Sequence, residues 1–388
     1  MERKIKVLYL LNLAGWGGAC QVVYDLAKNL DKSRFEIFIA SSPHPDRRFF
    51  EDLKKEGVHF YTINHLKRWG SLFSDILAFK EILSLIRKTK PDIIHLHNSK
   101  AGFLGRWAGW FYKIFSLKRK PKIYFTIHGW SFQSELKKLS RLFIFLEKMS
   151  AKITDRLIAV SENVKNTGLE KKIAPVSKFL VIPNGVRMPE KEDKGLIKRQ
   201  LGLEEDSFVF GYVARLAYPK RPDLFLEGAL ILIREEPKSR FIIIGDGPFY
   251  PKLKEFVLKE KVEDKIKILG QKSPAETKKI MNAFDVNVLI TESEGLGLVI
   301  LETMALGRPN IASSVGGILE IIKDGVNGFL VKNEPLVISQ KMKLLKQDQK
   351  LYKRLSQEAQ KTIEEKFSLQ KMIEKYEMLY GEINDSKF

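Results

Sequence analysis

Two carboxylates flanking a glycine-rich turn are the residues with the clearest chemical use. The stretch Thr291-Glu292-Ser293-Glu294-Gly295-Leu296-Gly297-Leu298-Val299-Ile300-Leu301-Glu302 follows an apolar run that ends near Ile290 and leads into a helical pattern opening near Gly297. Free backbone N–H groups and the positive end of a helix dipole would then sit at the mouth of a sheet, which suits a diphosphate. Glu294 lies in the turn and Glu302 in the helix. About five to eight helical residues advance roughly 7 to 12 Å, comparable to the distance from a transferred hexose to a nucleotide ribose. Two acceptor-only carboxylates so spaced can bind hydroxyls at both ends of a sugar nucleotide.

A second group is cationic. Gly211 to Asp223 reads as a strand running into a loop, with Arg215 and Lys220 just past the strand's end. Two cations there can neutralise a diphosphate and stabilise the charge that develops when a nucleoside diphosphate leaves, in place of a metal ion. The tripeptide Gly245-Asp246-Gly247 follows another apolar run, and Gly17-Gly18 lies between the first strand pattern and a helix. The glycines at 15, 17 and 18 do not form a dinucleotide fingerprint, because position 20 is Cys and no partner acid follows at the usual distance, so a nicotinamide enzyme is disfavoured. His95 and His97 share one face of a strand, and His128 follows another. No carboxylate or thiolate sits at the close spacings of zinc motifs, and no metal ligands are assigned.

The elements that position these residues follow from short apolar runs alternating with helical-period segments, the pattern of parallel strands joined by covering helices. Strands are predicted near 5–11, 35–40, 59–63, 93–97, 123–126, 156–160 and 179–182, then near 208–213, 241–245, 266–269, 286–290 and 310–312. Between the two series lie a break at Pro183-Asn184-Gly185-Val186 and a charged stretch, Pro189 to Lys194, that reads as a linker. The expectation is α/β: two doubly wound domains, 1–188 and 189–388, facing across a cleft at the carboxyl ends of their strands. The segment from about Asp348 reads as terminal helices, the last of which, about 366–388, is expected to pack back on the N-terminal domain.

Composition supports a folded two-domain chain: 388 residues, 44% hydrophobic, 29% charged. The single cysteine, Cys20, excludes an internal disulfide and reads as a small buried side chain. The N-terminal residues run into a strand pattern without a cleavage site, and no run of about 18 uncharged apolar residues occurs, which gives a cytoplasmic expectation. Of the net charge of +20, +17 falls in residues 1–190, with all five tryptophans. Lys100 to Lys122 holds seven cations, six aromatics and no acid, and Phe103, Trp107, Trp110, Phe111 and Ile114 share one helix face. Glu135 to Ser150 is similar. Such faces either pack on the sheet or meet an anionic bilayer as a peripheral contact on the inner face of the plasma membrane. The basic charge also admits a nucleic-acid partner, but no recognition module accompanies it, so none is expected.

The two-glutamate turn resembles the hallmark of the large retaining GT-B glycosyltransferase family, family 4 type, whose fold is two Rossmann-like domains facing across a cleft. The resemblance implies a hexosyltransferase with a nucleotide-diphosphate sugar donor, UDP- or GDP-linked, and no metal or other cofactor. It implies a glycan or lipid-linked acceptor, bound by the N-terminal domain, and a place in envelope polysaccharide or glycolipid assembly. By the same likeness Glu294 contacts donor-sugar hydroxyls, Glu302 the ribose, and Arg215 and Lys220 the diphosphate. His128 lies at the donor sugar. Gly17 and Gly18 match a glycine loop near the donor phosphate or acceptor, Gly245-Asp246-Gly247 a nucleotide turn, and Gly295, Leu296, Gly297 and Leu298 the turn before the donor helix. Asn184 falls in the interdomain segment, and Ser314 to Glu320 resembles the stretch that closes the donor pocket. An epimerase on the same scaffold fits the domain layout but not the two-glutamate turn.

Overall fold

The computed structural model describes residues 3–12, 17–43, 51–67, 71–116, 120–133, 137–190 and 192–385. Gly15, Trp16, Trp69, Lys118, Arg119, Glu135 and Lys191 lie outside these. The chain divides into two units, Met1–Asn184 with Gln370–Phe388, and Gly185–Leu369. Within the second, the entering and leaving strands of chain lie side by side: Val186 N donates to Phe367 O at 2.9 Å and Leu369 N to Val186 O at 2.9 Å.

The first unit holds seven strands: β1 Ile5–Leu11, β2 Phe35–Ser41, β3 His59–Thr62, β4 Ile93–His97, β5 Lys122–Ile127, β6 Arg156–Ala159 and β7 Phe179–Val181. All pair in parallel in the order β3-β2-β1-β4-β5-β6-β7. The second unit repeats the plan with β8 Phe208–Val213, β9 Ser239–Ile244, β10 Ile266–Ile268, β11 Val286–Leu289, β12 Asn310–Ser313 and β13 Gly328–Val331, in the parallel order β10-β9-β8-β11-β12-β13. Both are doubly wound Rossmann-like sheets, whose order reverses between β1 and β4 and between β8 and β11. Twelve strands match the predicted runs, and β13 has no counterpart among them. It is a four-residue strand that opens on a glycine, too short to carry a period of its own.

The strands form because near-continuous apolar runs can only be satisfied between two helical layers. Phe210, Tyr212, Phe225 and Phe241 are fully buried on one face of the second sheet, and Val209, Ile242 and Phe284 on the other. Helix starts obey local chemistry as well. At Pro274–Met281, Ser273 Oγ accepts from Glu276 N while Glu276 accepts from Ser273 N, a reciprocal capping box.

One device recurs at the edge where strands begin. Asp92, Asp155 and Asp285 each precede a strand, and each carboxylate accepts the backbone N–H of the second residue of the neighbouring strand: Lys6 at 3.0 Å, Ile123 at 2.8 Å and Val209 at 2.8 Å. These acids register strands and stand at the end of the sheet away from the loops that carry chemistry.

The last helix, Leu369–Asp385, packs on the first unit through buried tyrosines. Tyr380 OH lies 3.0 Å from Tyr9 OH and 2.5 Å from His95 Nδ1, and His95 Nε2 lies 2.7 Å from Thr126 Oγ1. His95 is 0% exposed, and burial pushes it down to about 3. An unfolded chain takes up a proton below about pH 6.5 that folded His95 refuses until far lower, so stability is lost as pH falls. We expect the first unit to lose about 1.4 kcal/mol per pH unit from this residue alone once the pH is well below 6.5. Urea titrations followed by tryptophan fluorescence report the first unit, which contains every tryptophan. A midpoint that does not fall between pH 6.5 and 4.5 would show His95 to be solvated.

Candidate active site

In the second unit the loops that follow β8 and β11 flank the strand-order reversal, the place where doubly wound sheets bind ligands. They are sewn together by backbone. Arg221 N donates to Ile290 O at 2.9 Å, Glu292 N to Pro219 O at 2.8 Å, and Lys220 bridges to Thr291. Lys220 stands only five positions after Arg215, yet the pairing delivers it to Glu294, with which it forms an ion pair. Both side chains are half-buried, whereas Arg215 is exposed.

A third loop fixes the glutamate from the far side. Ser313 ends β12, its Oγ accepts Thr291 N at 2.8 Å, and Asn333 Nδ2 donates to Thr291 O at 3.1 Å. Gly316 follows, at φ 55, and a Cβ there would stand 2.1 Å from Glu294 O. Only glycine permits that conformation together with that approach. Gly317 N then donates to Glu294 O at 3.0 Å. The stretch from Ser314 to Glu320 thus holds the Glu294 backbone directly. Ser313 and Asn333 have no signal in the sequence, and Thr291 is visible there only as the start of the two-glutamate stretch, because a buried hydroxyl or amide has no periodic signature.

Gly245, Asp246 and Gly247 also belong to this edge. Gly245 has φ 142, and a Cβ on it would lie 1.8 Å from the carbonyl oxygen of Ala214. Leu216 N donates to Asp246 O at 2.9 Å. These glycines let two backbones cross, and the crossing holds the loop that carries Arg215. Asp246 is exposed.

The helix Leu298–Ala305 opens at the same place with Gly297 as its N-cap, which has no side chain to cap it, and with no acid in its first turn. Gly295 is buried, and Leu296 is 2% exposed, so its side chain belongs to the core. Glu302 lies along the helix, partly exposed, with Lys278 Nζ 3.9 Å from its carboxylate. The second unit therefore gathers Arg215, Lys220, Gly245 to Gly247, Glu294 to Leu298 and Glu302 on one edge.

The first unit holds Gly17, Gly18, His128 and Asn184. Gly17 is the uncapped N-cap of the helix Gly18–Asn29, and a Cβ there meets nothing within 4 Å among the described residues. Across the order reversal Asn98, at φ 67, accepts Asn12 N through Oδ1 at 3.2 Å, tying the ends of β1 and β4. Asn184 is buried. His128 follows β5, partly exposed, with its Nε2 3.0 Å from Nδ1 of the fully buried His97. Burial pushes His128 down to about 4. His95 and His97 do share one face, with ring centroids 4.4 Å apart, and both engage the protein's own groups.

The aromatic stripe of Lys100 to Lys122 does not face the sheet. In the helix Ser99–Phe115 the sheet side is Ala101, Gly102, Leu104, Gly105, Ala108 and Gly109, and a Cβ on Gly102 or Gly105 would stand 2.4 Å from Phe125 or Leu96. Small residues let the helix approach closely, which leaves Phe103, Trp107, Trp110 and Phe111 half-buried beside neighbouring helices. Of the cations, Arg106 is fully buried against Glu147 at 2.9 Å, and Lys100 and Lys113 pair with Asp75 and Asp155. Ile114 and Phe115 are exposed, as are Leu72, Phe73 and Ile76 on the helix Leu72–Thr89. No helix among the described residues is long and apolar enough to cross a membrane.

Comparison with known proteins places this arrangement. The descriptions "Glycosyl transferases group 1" and "Glycosyltransferase Family 4" match residues 193–362 and 16–188. The chain is 30% identical over 386 residues, 97% of each chain, to the UDP-Gal:α-D-GlcNAc-diphosphoundecaprenol α-1,3-galactosyltransferase of Escherichia coli. It is 25% identical to the N-acetyl-α-D-glucosaminyl L-malate synthase of Bacillus anthracis, over 95% of this chain and 94% of that one. Among solved structures, Anabaena HepE in complex with UDP and glucose superposes with a TM-score of 0.83 at 20% identity, over 97% of this chain and 99% of that one. The two doubly wound sheets, the edge that carries Lys220 and Glu294, and the full-length likeness lead to one conclusion: the chain belongs to the GT-B glycosyltransferases of the family 4 type and is a glycosyltransferase.

Proposed function

We propose that the chain transfers a hexose from a UDP- or GDP-sugar to a lipid-linked glycan, with retention at the anomeric carbon and without a metal ion. The observation that carries this reading is the convergence of Lys220, Glu294, Arg215 and an uncapped helix N-terminus on one edge of the second sheet. Lys220 is held by Glu294, so an arriving diphosphate competes for the ammonium and releases the carboxylate to the sugar hydroxyls. Arg215 and the N–H groups at Leu298 add positive charge at the leaving phosphate, and Glu302 accepts from the ribose. His128 donates to a sugar oxygen.

In this mechanism the acceptor hydroxyl attacks the anomeric carbon on the face from which the diphosphate departs. The bond to phosphate oxygen breaks, the bond to acceptor oxygen forms, and the hydroxyl proton passes to the departing phosphate. The protein supplies position and charge stabilisation rather than a covalent nucleophile. UDP is favoured over GDP because the E. coli relative is named for UDP-Gal and Anabaena HepE was solved with UDP. The α-1,3 linkage in the name of that relative supports retention, since UDP-galactose carries its phosphate in the α configuration.

A lipid-linked acceptor draws support from the same name, which specifies a diphosphoundecaprenol. The exposed apolar residues fit it. Helices that link parallel strands run back against them, so Leu72, Phe73 and Ile76 in the first turns of Leu72–Thr89 lie at the edge where β4 and β5 end, as His128 does. We place the membrane contact there, at the cytoplasmic face, with the basic charge of residues 1–190 drawing the unit to anionic lipid.

Glu294→Ala and Lys220→Ala should each lower transfer by at least about a hundredfold while leaving the fold intact, because each removes a group aimed at the donor. Near-wild-type rates in both variants would overturn the site. Transfer should survive EDTA, since side-chain cations and a helix N-terminus already supply the charge a divalent ion would bring; a strict, reversible need for Mg²⁺ or Mn²⁺ would refute this. In vesicle flotation the protein should rise with anionic liposomes at low salt, lose them at high salt, and bind less as Leu72→Asp with Phe73→Asp. Equal recovery with neutral and anionic vesicles, or none at low salt, would favour a soluble acceptor.

A further inference from the structure

One buried group beside His128 is unused by the reaction above. His97 ends β4 and is 0% exposed. Its Nδ1 lies 3.0 Å from Nε2 of His128, and the two rings stack at 5.3 Å with 28° between their planes. Tyr9 packs on it at 5.9 Å and His95 at 4.4 Å, so the ring is held on several sides. Burial and the neighbouring histidines hold His97 well below the usual histidine range, and His128 is depressed by burial, so each ring carries one N–H near neutral pH.

Two neutral imidazoles in contact share one proton between the facing nitrogens, and the direction of that bond fixes both tautomers. If His128 donated from Nε2, His97 would carry its own N–H on Nε2, an atom that is buried and has no hydrogen-bond partner among the described residues. A buried N–H without an acceptor is rarer in folded proteins than an unfilled lone pair. The opposite direction leaves only a bare lone pair on His97 and puts the proton of His128 on Nδ1, the nitrogen that does not face His97.

We propose that His97 is a positioning residue that donates from Nδ1 to Nε2 of His128 and so holds His128 as the Nδ1–H tautomer, aimed as a hydrogen-bond donor at an oxygen of the transferred sugar. The assignment deepens the role given to His128 above and rests on it for its consequence, though not for its geometry. The sequence offers the pair only as two histidines near the ends of strands; their contact comes from the pairing of His97 with Thr126 in the β4–β5 register.

The test is histidine-selective ¹⁵N NMR on the full chain, with transfer kinetics on three variants. In the wild type, His128 should be protonated at Nδ1. His97→Asn keeps an N–H donor near the same place and should preserve that tautomer and most of kcat. His97→Asp offers only acceptors, so it should move the proton of His128 to Nε2 and lower kcat by at least about tenfold while donor KM stays within about twofold. In a His128→Ala background neither change at His97 should matter further, whereas a merely structural role would lower activity again. An Nε2–H tautomer in the wild type, failure of His97→Asn at unchanged Tm, or a further loss in the His128→Ala background would each overturn the proposal. Should His97→Asp fail to fold, the wild-type spectrum and the Asn variant still decide. Full turnover by His128→Ala would instead overturn the role of His128 itself, while the spectrum would still decide whether His97 donates.

Discussion

The backbone ladder that joins the loop after β8 to the loop after β11 is the constraint on which the rest of the second unit depends. In an all-parallel sheet these two strands are neighbours at the order reversal, so the loops leave in opposite directions and open a notch. The bonds from Arg221 to Ile290 and from Glu292 to Pro219 close the base of that notch. Lys220 and Glu294 then meet at a place no helix or strand period would specify. Two further sets of residues support the ladder: the hydroxyl and amide of Ser313 and Asn333 grip Thr291, and the glycines at 316 and 245 let neighbouring backbones pass within contact.

The first unit solves a different problem, the burial of polar side chains in an apolar sheet. His95, Thr126, Tyr9, Tyr376 and Tyr380 satisfy one another, and the last two arrive on a helix from the far end of the chain. A buried polar group is costly only while it lacks a partner, so the returning helix both covers β1, β4 and β5 and completes their hydrogen bonding. His97 is the member left over from that network, and among the described residues its side chain bonds to His128. His95, a member of the tyrosine network, and His97, which faces His128, are therefore alternate residues on one face of β4.

Helix packing explains how a basic aromatic segment can be partly structural and partly exposed. Glycines at 102, 105 and 109 bring the helix Ser99–Phe115 close to the sheet, and the aromatic stripe is rotated outward between neighbouring helices. Arg106, which composition alone would count as surface charge, lies over the ring of Phe125 at 4.3 Å and pairs with Glu147. The net charge of the segment thus overstates what solvent or a bilayer can reach.

Much of this was legible in the residues. Alternation of apolar runs and helical periods determined twelve strands and two parallel sheets, because strands buried on both faces must be apolar throughout. The turn with Glu294 and the loop with Arg215 and Lys220 were visible because strand ends, glycines and helix starts have local signatures. Tertiary structure decided what no local rule reaches. Lys220 was set against Glu294 by pairing across 74 residues, His97 against His128 by register, and Tyr380 against His95 across 285. Gly245 and Gly316 were fixed by the backbones they must pass, since a glycine in sequence shows only that a turn is permitted, whereas the atom 2 Å from an absent Cβ shows why nothing else fits.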